Sequence, residues 1–198
     1  MNTKLEKYIA GLQAEQSLIP QERINLLNQL IDYVKMSRTP QLHFICTHNS
    51  RRSHLSQIWA QTMADYTNTK VQTFSGGTEA TAFHPNAVAA IERAGFEVKN
   101  PEGTNPKYEI YHTEGTVPMV CYSKRFDEEP NPTQSFAAIM TCSEADAECP
   151  VVFGSDVKIK LFYEDPKRGD GTPLESTLYD ERCRQIAREL FFVFHAIK

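Results

Sequence analysis

Apolar residues recur along the chain with two different periods. Over residues 3–14 and 20–37 they recur every three or four positions, which is typical of amphipathic helices. The second segment ends at Ser-Arg-Thr-Pro, residues 37–40, which interrupts the helical pattern. The sequence therefore predicts a helical hairpin within residues 1–40, packed on a main domain that begins at residue 41.

Beyond residue 40, short β-prone runs alternate with helical segments. The runs predicted as strands are residues 41–45, 71–75, 136–141 and 157–162. The segments predicted as helices are residues 52–66, 85–94 and 177–196. This alternation is typical of an α/β domain with a parallel sheet and helices on both faces. We expect one such domain over residues 41–198, with a four-stranded sheet and a turn at Gly76 and Gly77.

The stretch from residue 100 to residue 135 departs from this alternation. Two β-prone runs, Tyr108–Tyr111 and Val117–Tyr122, flank a turn signal at Glu114 and Gly115. The stretch then ends in a proline-containing loop. We predict a β-hairpin inserted into the main domain over about residues 100–135.

The composition limits the classes of protein to which this chain can belong. The chain has 198 residues, a net charge of −4 and no apolar run near the ~20 residues that cross a bilayer. Its N-terminus lacks the apolar centre of a secretory signal, so we expect a cytoplasmic protein. A mildly acidic chain gives no electrostatic footprint for nucleic acid or for an anionic membrane. The five cysteines are an odd number, so catalytic, redox or metal roles are expected before a disulfide framework.

One cysteine lies in a loop between the first strand and the first helix of the main domain. The loop reads Cys46, Thr47, His48, Asn49, Ser50, Arg51, Arg52 and Ser53, a Cys-x5-Arg-Ser motif. In such a loop, backbone amides and the helix dipole form an anion-binding nest, which also favours the thiolate form of the cysteine. The Cys-x5-Arg spacing alone is weak evidence for an anion-binding loop. The position of the loop between a strand and a helix makes this evidence more specific.

The side chains of this loop have expected roles. Arg52 can hold two oxygens of a tetrahedral oxyanion, and the Ser53 hydroxyl can donate a hydrogen bond toward the thiolate. Asn49 tolerates left-handed backbone and can brace the loop. His48 is expected to face solvent rather than to act in catalysis. The alternative interpretation is a buried strand-end cysteine beside a surface arginine.

Two further cysteines stand at the ends of a short acidic segment. Cys142 follows the third predicted strand, Cys149 precedes Pro150, and Ser143 is predicted to cap a short helix between them. A helix of that length separates the two cysteine Cα atoms by about 10 Å, whereas a disulfide needs about 4.4–6.8 Å. Two possibilities stay open: a redox switch that forms when the helix unwinds, or two reduced cysteines without a redox role.

The remaining cysteines are predicted to be structural. Cys183 continues an apolar helical stripe, and Cys121 lies among apolar residues of the insertion. No Cys-x2-Cys pair or flanking histidine completes a zinc site. We therefore expect neither a metal ion nor an organic cofactor.

An Asp-Pro dipeptide follows the last predicted strand. Asp165 can act as a general acid that protonates a leaving oxygen, with Glu164 as the alternative acid in the same turn. A plain turn is the other interpretation. Cys46, Cys142 and Asp165 each follow the C-terminal end of a predicted strand. Ligands of open parallel sheets bind at that edge, so we expect the three groups to converge there.

These motifs resemble the low-molecular-weight protein tyrosine phosphatase superfamily and, within it, the thioredoxin-coupled arsenate reductases. The similar segments are Cys46–Ser53, Phe74–Glu79, Cys142–Pro150 and Glu164–Pro166. They follow the family's order and spacing over residues 41–100 and 134–198. The pair that ends in Cys149-Pro150 is the specific part, because phosphatases of the superfamily generally lack it.

The resemblance implies a relay of three cysteines. Cys46 would attack arsenate held by the loop amides and Arg52, while Asp165 would protonate the leaving hydroxyl. Cys142 would then release arsenite by forming a disulfide with Cys46. Cys149 would move the bridge to Cys142–Cys149, where thioredoxin would reduce it.

The sequence departs from the family pattern at three positions. His48 stands where the family usually carries a small residue, and Arg51 stands where the reductases often carry a cysteine. Some members bind a potassium ion through an acid on the first helix. The matching residue here is Gln57, so that ion is not expected.

Two other functions stay open on the sequence alone. A phosphatase acting on phosphotyrosine or a small phosphoester would use the same loop, and its chemistry ends with water and needs neither Cys142 nor Cys149. Lys167 stands where such phosphatases often place an aromatic residue, which weakens this interpretation. A non-enzymatic oxyanion-binding module is the third possibility, although binding alone needs no thiolate.

Overall fold

The N-terminal residues form the predicted helical hairpin. The computed structural model describes residues 1–149 and 151–198, and within them no helix has the length and apolar content needed to cross a membrane. Helix α1 (Thr3–Leu12) leads through a 3-10 turn to helix α2 (Gln21–Met36), and both helices contact the C-terminal helix of the chain. The Asn2 side chain caps α1 by accepting a 2.9 Å hydrogen bond from the Leu5 amide.

The rest of the described chain follows the predicted alternation of strands and helices. The strands are β1 (Gln41–Cys46), β2 (Gln72–Gly77), β3 (Glu97–Lys99), β4 (Tyr108–Tyr111), β5 (Met119–Cys121), β6 (Phe136–Met140) and β7 (Ser155–Lys160). The further helices are α3 (Arg52–Thr67), α4 (Pro85–Ala94), α5 (Ser143–Glu148) and α6 (Glu175–Ile197).

Four strands form a parallel sheet in the order β2-β1-β6-β7, which confirms the predicted α/β fold. Side chains along β1 alternate between the two faces. Leu42 and Phe44 join the larger core with the long helices, whereas Ile45 belongs to a smaller cluster that includes Ala145 of α5. The short helix α5 therefore covers the face of the sheet opposite the long helices.

The predicted β-hairpin insertion is present as β4 and β5. The strand β3 joins it, so the insertion is a three-stranded antiparallel sheet in the order β3-β4-β5. We did not predict β3 because its three residues offer a single apolar position. After β5 the chain returns to the parallel sheet, where the Gly77 amide donates to the Lys124 carbonyl oxygen and the Phe126 amide donates to the Gly77 carbonyl oxygen, at 2.9 and 2.8 Å.

The expected turn at Gly76 and Gly77 is wrong, because both residues belong to β2. A Cβ atom at Gly76 would lie 2.4 Å from the Cα atom of Phe126. The two glycines therefore mark a close approach of two backbone segments rather than a turn.

One side chain of the parallel sheet is a histidine whose burial affects the free energy of unfolding. His43 of β1 is fully buried between Phe74 and Phe136, and neither ring nitrogen has a hydrogen-bond partner among the described residues. Burial, with a smaller contribution from the Lys124 charge, lowers the pKa of His43 from 6.5 to about 3. Below pH 6.5 the unfolded chain takes up a proton here and the folded chain does not. Stability is therefore lost at about 1.4 kcal/mol per pH unit until the folded pKa is reached.

We expect His43→Leu to be more stable than the wild type at pH 7.5, because buried polar atoms without partners cost about 1–3 kcal/mol. This advantage should grow by about 2 kcal/mol at pH 5.0, since the variant has no proton to take up on unfolding. Urea unfolding at the two pH values measures both effects. An advantage that is the same at pH 7.5 and pH 5.0 would contradict a neutral buried His43.

Candidate active site

The Cys-x5-Arg loop connects the end of β1 to the start of α3. Cys46 is 4% exposed, and its Sγ atom lies 3.1 Å from the Ser53 Oγ atom. The Asn49 side chain donates a 2.8 Å hydrogen bond to the same hydroxyl oxygen, and Asn49 has a φ of 43°, in the left-handed region. Both sequence expectations for this part of the loop, the brace by Asn49 and the Ser53 contact to the thiol, correspond to observed contacts.

A segment that the sequence analysis assigned to the insertion braces the same loop from behind. Ser123 Oγ donates to the His48 carbonyl oxygen at 2.9 Å, and the Lys124 amide donates to Asn49 Oδ1 at 3.0 Å. The Asn105 side chain in turn holds both backbone polar groups of Ser123. We missed these residues because polar residues after a predicted hairpin carry no signal of a contact with a loop far away in sequence.

The Lys124 side chain is buried, although its backbone amide is the group that contacts the loop. It is 4% exposed, and its ammonium group lies 4.8 Å from the centre of the Tyr122 ring. Burial lowers the pKa of Lys124. The Lys124 charge adds to burial in lowering the pKa of His43 and of His54.

The structure separates the two candidate acids. Asp165 accepts a 2.7 Å hydrogen bond from Arg52 Nη2, and Arg52 Nη1 donates to the Tyr163 carbonyl oxygen at 3.1 Å. Glu164 has a 62% exposed side chain and pairs instead with Arg168 and Arg182, each at 3.2 Å. Asp165 is therefore the carboxylate that lies at the loop.

Two other loop side chains are directed to neighbouring carboxylates. Arg51 donates from Nη2 to Asp170 at 3.0 Å and from Nε to the Tyr179 hydroxyl at 2.6 Å. The half-exposed His48 ring lies 3.5 Å from the Glu79 carboxylate. Solvent exposure agrees with the expectation for His48, and the Arg51 guanidinium is held by residues outside the loop.

Cys142 lies beside the Cys-x5-Arg loop, and Cys149 lies at the other end of α5. The Cys142 Sγ atom is 3.5 Å from Thr47 Oγ1, and both Cys46 and Cys142 belong to the smaller apolar cluster. Burial raises the pKa of Cys142, although the Thr47 hydroxyl opposes this shift. Burial also raises the pKa of Cys149, which is only partly buried.

The helix between these cysteines differs in one detail from the prediction. Cys142 occupies the N-cap position of α5 without a capping hydrogen bond from its side chain, and Ser143 is the first helical residue. Helical hydrogen bonds extend across the whole segment, since the Cys149 amide donates to the Ala145 carbonyl oxygen at 2.9 Å. Pro150, part of the predicted motif, lies outside the described residues.

The other two cysteines lie in the core. Cys121 and Cys183 are fully or almost fully buried, and burial raises the pKa of each thiol to about 12. The Trp59 indole donates a 3.1 Å hydrogen bond to Cys183 Sγ. Over residues 1–149 and 151–198, no three histidine, cysteine or acidic side chains are grouped so that they could hold a metal ion.

Known proteins share parts of this sequence. No protein-family model matches the chain. Arsenate reductase 2 of Staphylococcus epidermidis is 27% identical over 125 residues, which cover 63% of this chain and 77% of the reductase. The arsenate reductase of Bacillus subtilis is 24% identical over 143 residues, which cover 72% of this chain and 86% of the reductase.

Solved structures share the fold. A variant of YwlE from Bacillus subtilis matches with a TM-score of 0.54 and 14% identity, over 80% of this chain and 99% of that one. A low-molecular-weight phosphotyrosine phosphatase from Vibrio cholerae matches with a TM-score of 0.52 and 13% identity, over 79% and 94% of the two chains. These findings confirm the resemblance predicted from the motifs: the chain has the low-molecular-weight protein tyrosine phosphatase fold and is similar in sequence to bacterial arsenate reductases.

Proposed function

We propose that this protein is an enzyme that reduces arsenate to arsenite through Cys46, Cys142 and Cys149. The Cys-x5-Arg loop, residues 46–53, is called the nucleophile loop below. The observation that carries the proposal is the position of Cys142 beside this loop, 3.5 Å from Thr47 Oγ1, with Cys149 at the far end of the same short helix. A phosphatase has no use for this pair. The sequence similarity to arsenate reductases supports the same choice.

The first step forms a covalent arsenic–sulfur bond. The backbone amides of the loop, contributed by Thr47, His48, Asn49, Ser50, Arg51 and Ser53, surround the oxyanion together with the Arg52 guanidinium. The Cys46 thiolate attacks arsenic and displaces one oxygen. Asp165, protonated in the arsenate complex, gives its proton to that hydroxyl oxygen, so the group leaves as water rather than as hydroxide.

The second step transfers two electrons. The Cys142 thiolate attacks the Cys46 sulfur, the sulfur–arsenic bond breaks, and its electron pair leaves with arsenic as arsenite. Arsenic(V) becomes arsenic(III), and the two thiols become a Cys46–Cys142 disulfide. Cys149 then attacks Cys142, which frees Cys46 and leaves a Cys142–Cys149 disulfide for a dithiol reductant of the thioredoxin class.

The last exchange requires α5 to unwind. Seven residues of helix separate the Cα atoms of Cys142 and Cys149 by about 10 Å, and a disulfide allows about 4.4–6.8 Å. The helix is short, and most of its residues are exposed or only partly buried. Its loss therefore costs little buried apolar surface, which makes the exchange feasible.

Hydrolysis of a phosphoester is the second candidate. Cys46, Arg52 and Asp165 would also serve this reaction, in which water resolves a phosphate bound to the cysteine. The observation that favours it is the structural likeness to a phosphotyrosine phosphatase. The two reactions differ in their need for Cys142 and Cys149.

The test is a pair of assays on wild type, Cys46→Ser, Cys142→Ser and Cys149→Ser, with Cys121→Ala as the matched control. One assay follows arsenate-dependent NADPH oxidation with thioredoxin and thioredoxin reductase, and the other follows hydrolysis of p-nitrophenyl phosphate. We expect all three serine variants to lose arsenate turnover and Cys121→Ala to keep it. After arsenate treatment, Cys149→Ser should retain a Cys46–Cys142 disulfide, which peptide mass spectrometry detects. Hydrolysis that needs only Cys46, without arsenate turnover, would overturn the reductase and support the phosphatase.

A further inference from the structure

Two successive arginines hold the two ends of the segment that carries Asp165. This segment, residues 165–170, is called the acid segment below. Arg52 Nη2 donates to Asp165 at 2.7 Å, and Arg51 Nη2 donates to Asp170 at 3.0 Å. Within the segment, the Lys167 amide donates to Asp165 Oδ1 and the Asp170 amide to the Lys167 carbonyl oxygen, at 3.0 and 2.9 Å. Arg51 Nε also lies 4.0 Å from Asp165 Oδ1. The nucleophile loop is thus joined to the acid segment at two residues of that segment, Asp165 and Asp170.

The contact at Arg51 is a closed ring of hydrogen bonds. Arg51 Nε donates to the Tyr179 hydroxyl at 2.6 Å, and that hydroxyl donates to Asp170 Oδ1 at 2.8 Å. The Arg51 side chain is only 12% exposed, so water screens the ring weakly. We call Arg51, Asp170 and Tyr179 the Arg51 anchor. It joins the nucleophile loop, the acid segment and α6.

A histidine connects the anchor to the loop from the other side. The His84 ring stacks on Tyr179 with a centroid distance of 5.7 Å, and its Nδ1 atom lies 3.3 Å from the Tyr179 hydroxyl. The His84 amide donates to the Ser50 carbonyl oxygen at 2.9 Å. The side chain and the backbone of one residue therefore contact the anchor and the loop.

The charges in the anchor are matched at neutral pH. Burial raises the pKa of Tyr179 to about 12, so its hydroxyl keeps the proton that it donates. Burial opposes ionisation of Asp170, but the Tyr179 hydroxyl and the Arg51 charge outweigh it and hold the pKa of Asp170 below its ordinary value. Burial and the nearby Arg51 charge lower the pKa of His84. The anchor is thus one cation paired with one carboxylate, both directly and through a neutral hydroxyl.

The Arg52–Asp165 contact is affected when an oxyanion binds, whereas the Arg51–Asp170 contact is not. A tetrahedral oxyanion that accepts two parallel hydrogen bonds from Arg52 draws on the same guanidinium that now holds Asp165 and the Tyr163 carbonyl oxygen. Asp165 must also turn toward the leaving oxygen to give up a proton. Both changes weaken the Arg52–Asp165 contact at the moment when the acid must stay close.

We propose that Arg51, Asp170 and Tyr179 are positioning residues that keep the acid segment against the nucleophile loop when Arg52 turns from Asp165 to the oxyanion. The proposal rests on the oxyanion site proposed above, and it holds for arsenate and for a phosphoester alike. In this proposal the Arg51 side chain holds the acid segment and does not contact the oxyanion. Only the backbone amide of Arg51 takes part in oxyanion binding.

Hydrogen exchange of the acid segment, with and without saturating inorganic phosphate, tests this proposal. The variants are Arg51→Gln and Asp170→Asn, which break the same ion pair from its two sides, and Tyr179→Phe, which removes the bridging hydroxyl. Arg168→Gln is the matched control, since Arg168 lies in the same segment and pairs at the surface with Glu164. Phosphate binding is measured on each protein by calorimetry.

In the wild type and in Arg168→Gln we expect two amides to stay protected when phosphate binds: that of Asp170, and that of Thr172 just after the segment, which donates to the Gly169 carbonyl oxygen within it. In Arg51→Gln and Asp170→Asn they should be protected without phosphate and exchange about tenfold faster with it, because a hydrogen bond to a charged group is lost and Arg52 is occupied. Exchange that rises equally with and without phosphate would reduce the anchor to a structural contact and overturn the proposal. Exchange that never rises would also overturn it. Absence of phosphate binding to the wild type would instead refute the oxyanion site itself.

Discussion

Asp165→Asn is expected to lower kcat/KM by about 10²–10⁴-fold, both for arsenate reduction and for hydrolysis of a phosphoester. The asparagine keeps the size of the side chain and its place near Arg52, but it has no proton to give to the leaving oxygen. It also loses the charge that now accepts a 2.7 Å hydrogen bond from Arg52. Steady-state kinetics with both substrates measures the effect.

The adjacent acid provides the control for this prediction. Glu164 has a 62% exposed side chain and pairs with arginines away from the loop, so Glu164→Gln should leave kcat/KM within about twofold of the wild type. Loss of a general acid slows a reaction most when the leaving group is poor. Asp165→Asn should therefore lower kcat/KM for phenyl phosphate more than for p-nitrophenyl phosphate. Equal losses in the two variants, or an effect independent of the leaving group, would contradict the role of Asp165 as the acid.

Gly77→Ala is expected to abolish oxyanion binding and to destabilise the fold. A Cβ atom at Gly77 would lie 2.3 Å from the Glu79 carbonyl oxygen, 2.6 Å from the Thr47 carbonyl oxygen and 2.7 Å from the Asn49 nitrogen. All three are backbone atoms, and two of them belong to the nucleophile loop. The loop must therefore move, and overpacking of this kind costs about 1–3 kcal/mol. Urea unfolding and phosphate titration by calorimetry measure the two effects.

Gly115 provides a control that distinguishes the strain of left-handed backbone from a steric clash of the added Cβ atom. Gly115 has a φ of +75°, and a Cβ atom there would meet nothing within 4 Å. Gly115→Ala should therefore carry only the strain of left-handed backbone, roughly 1 kcal/mol, and bind phosphate like the wild type. Normal phosphate binding by Gly77→Ala would show that the loop tolerates this displacement, and the prediction would be wrong.

Local patterns were sufficient for the fold and for the centre of the site. Strand and helix periods predict the four-stranded parallel sheet, and the Cys-x5-Arg spacing predicts a loop between β1 and α3. The contacts among Cys46, Asn49 and Ser53 join residues at most seven positions apart. Short-range contacts of this kind follow from local backbone geometry, which is why motif chemistry anticipates them.

The same patterns mislead where two distant segments meet. Gly76 and Gly77 have the composition of a turn, yet they extend β2, because the chain that returns from the insertion approaches them closely. Sequence reasoning also left Glu164 and Asp165 as alternatives. In the structure Glu164 pairs instead with Arg168 and with Arg182 of α6, away from the loop.

The sequence by itself thus determined the parallel sheet and the place of the Cys-x5-Arg loop between β1 and α3, because each depends on neighbours along the chain. The tertiary structure alone decided which residues support that loop: Ser123 and the Lys124 amide behind it, and Asp170 and Tyr179 beside it. These residues lie between about 75 and 128 positions from their partners. Contacts at such separations depend on how whole elements pack, and no local period or spacing records them.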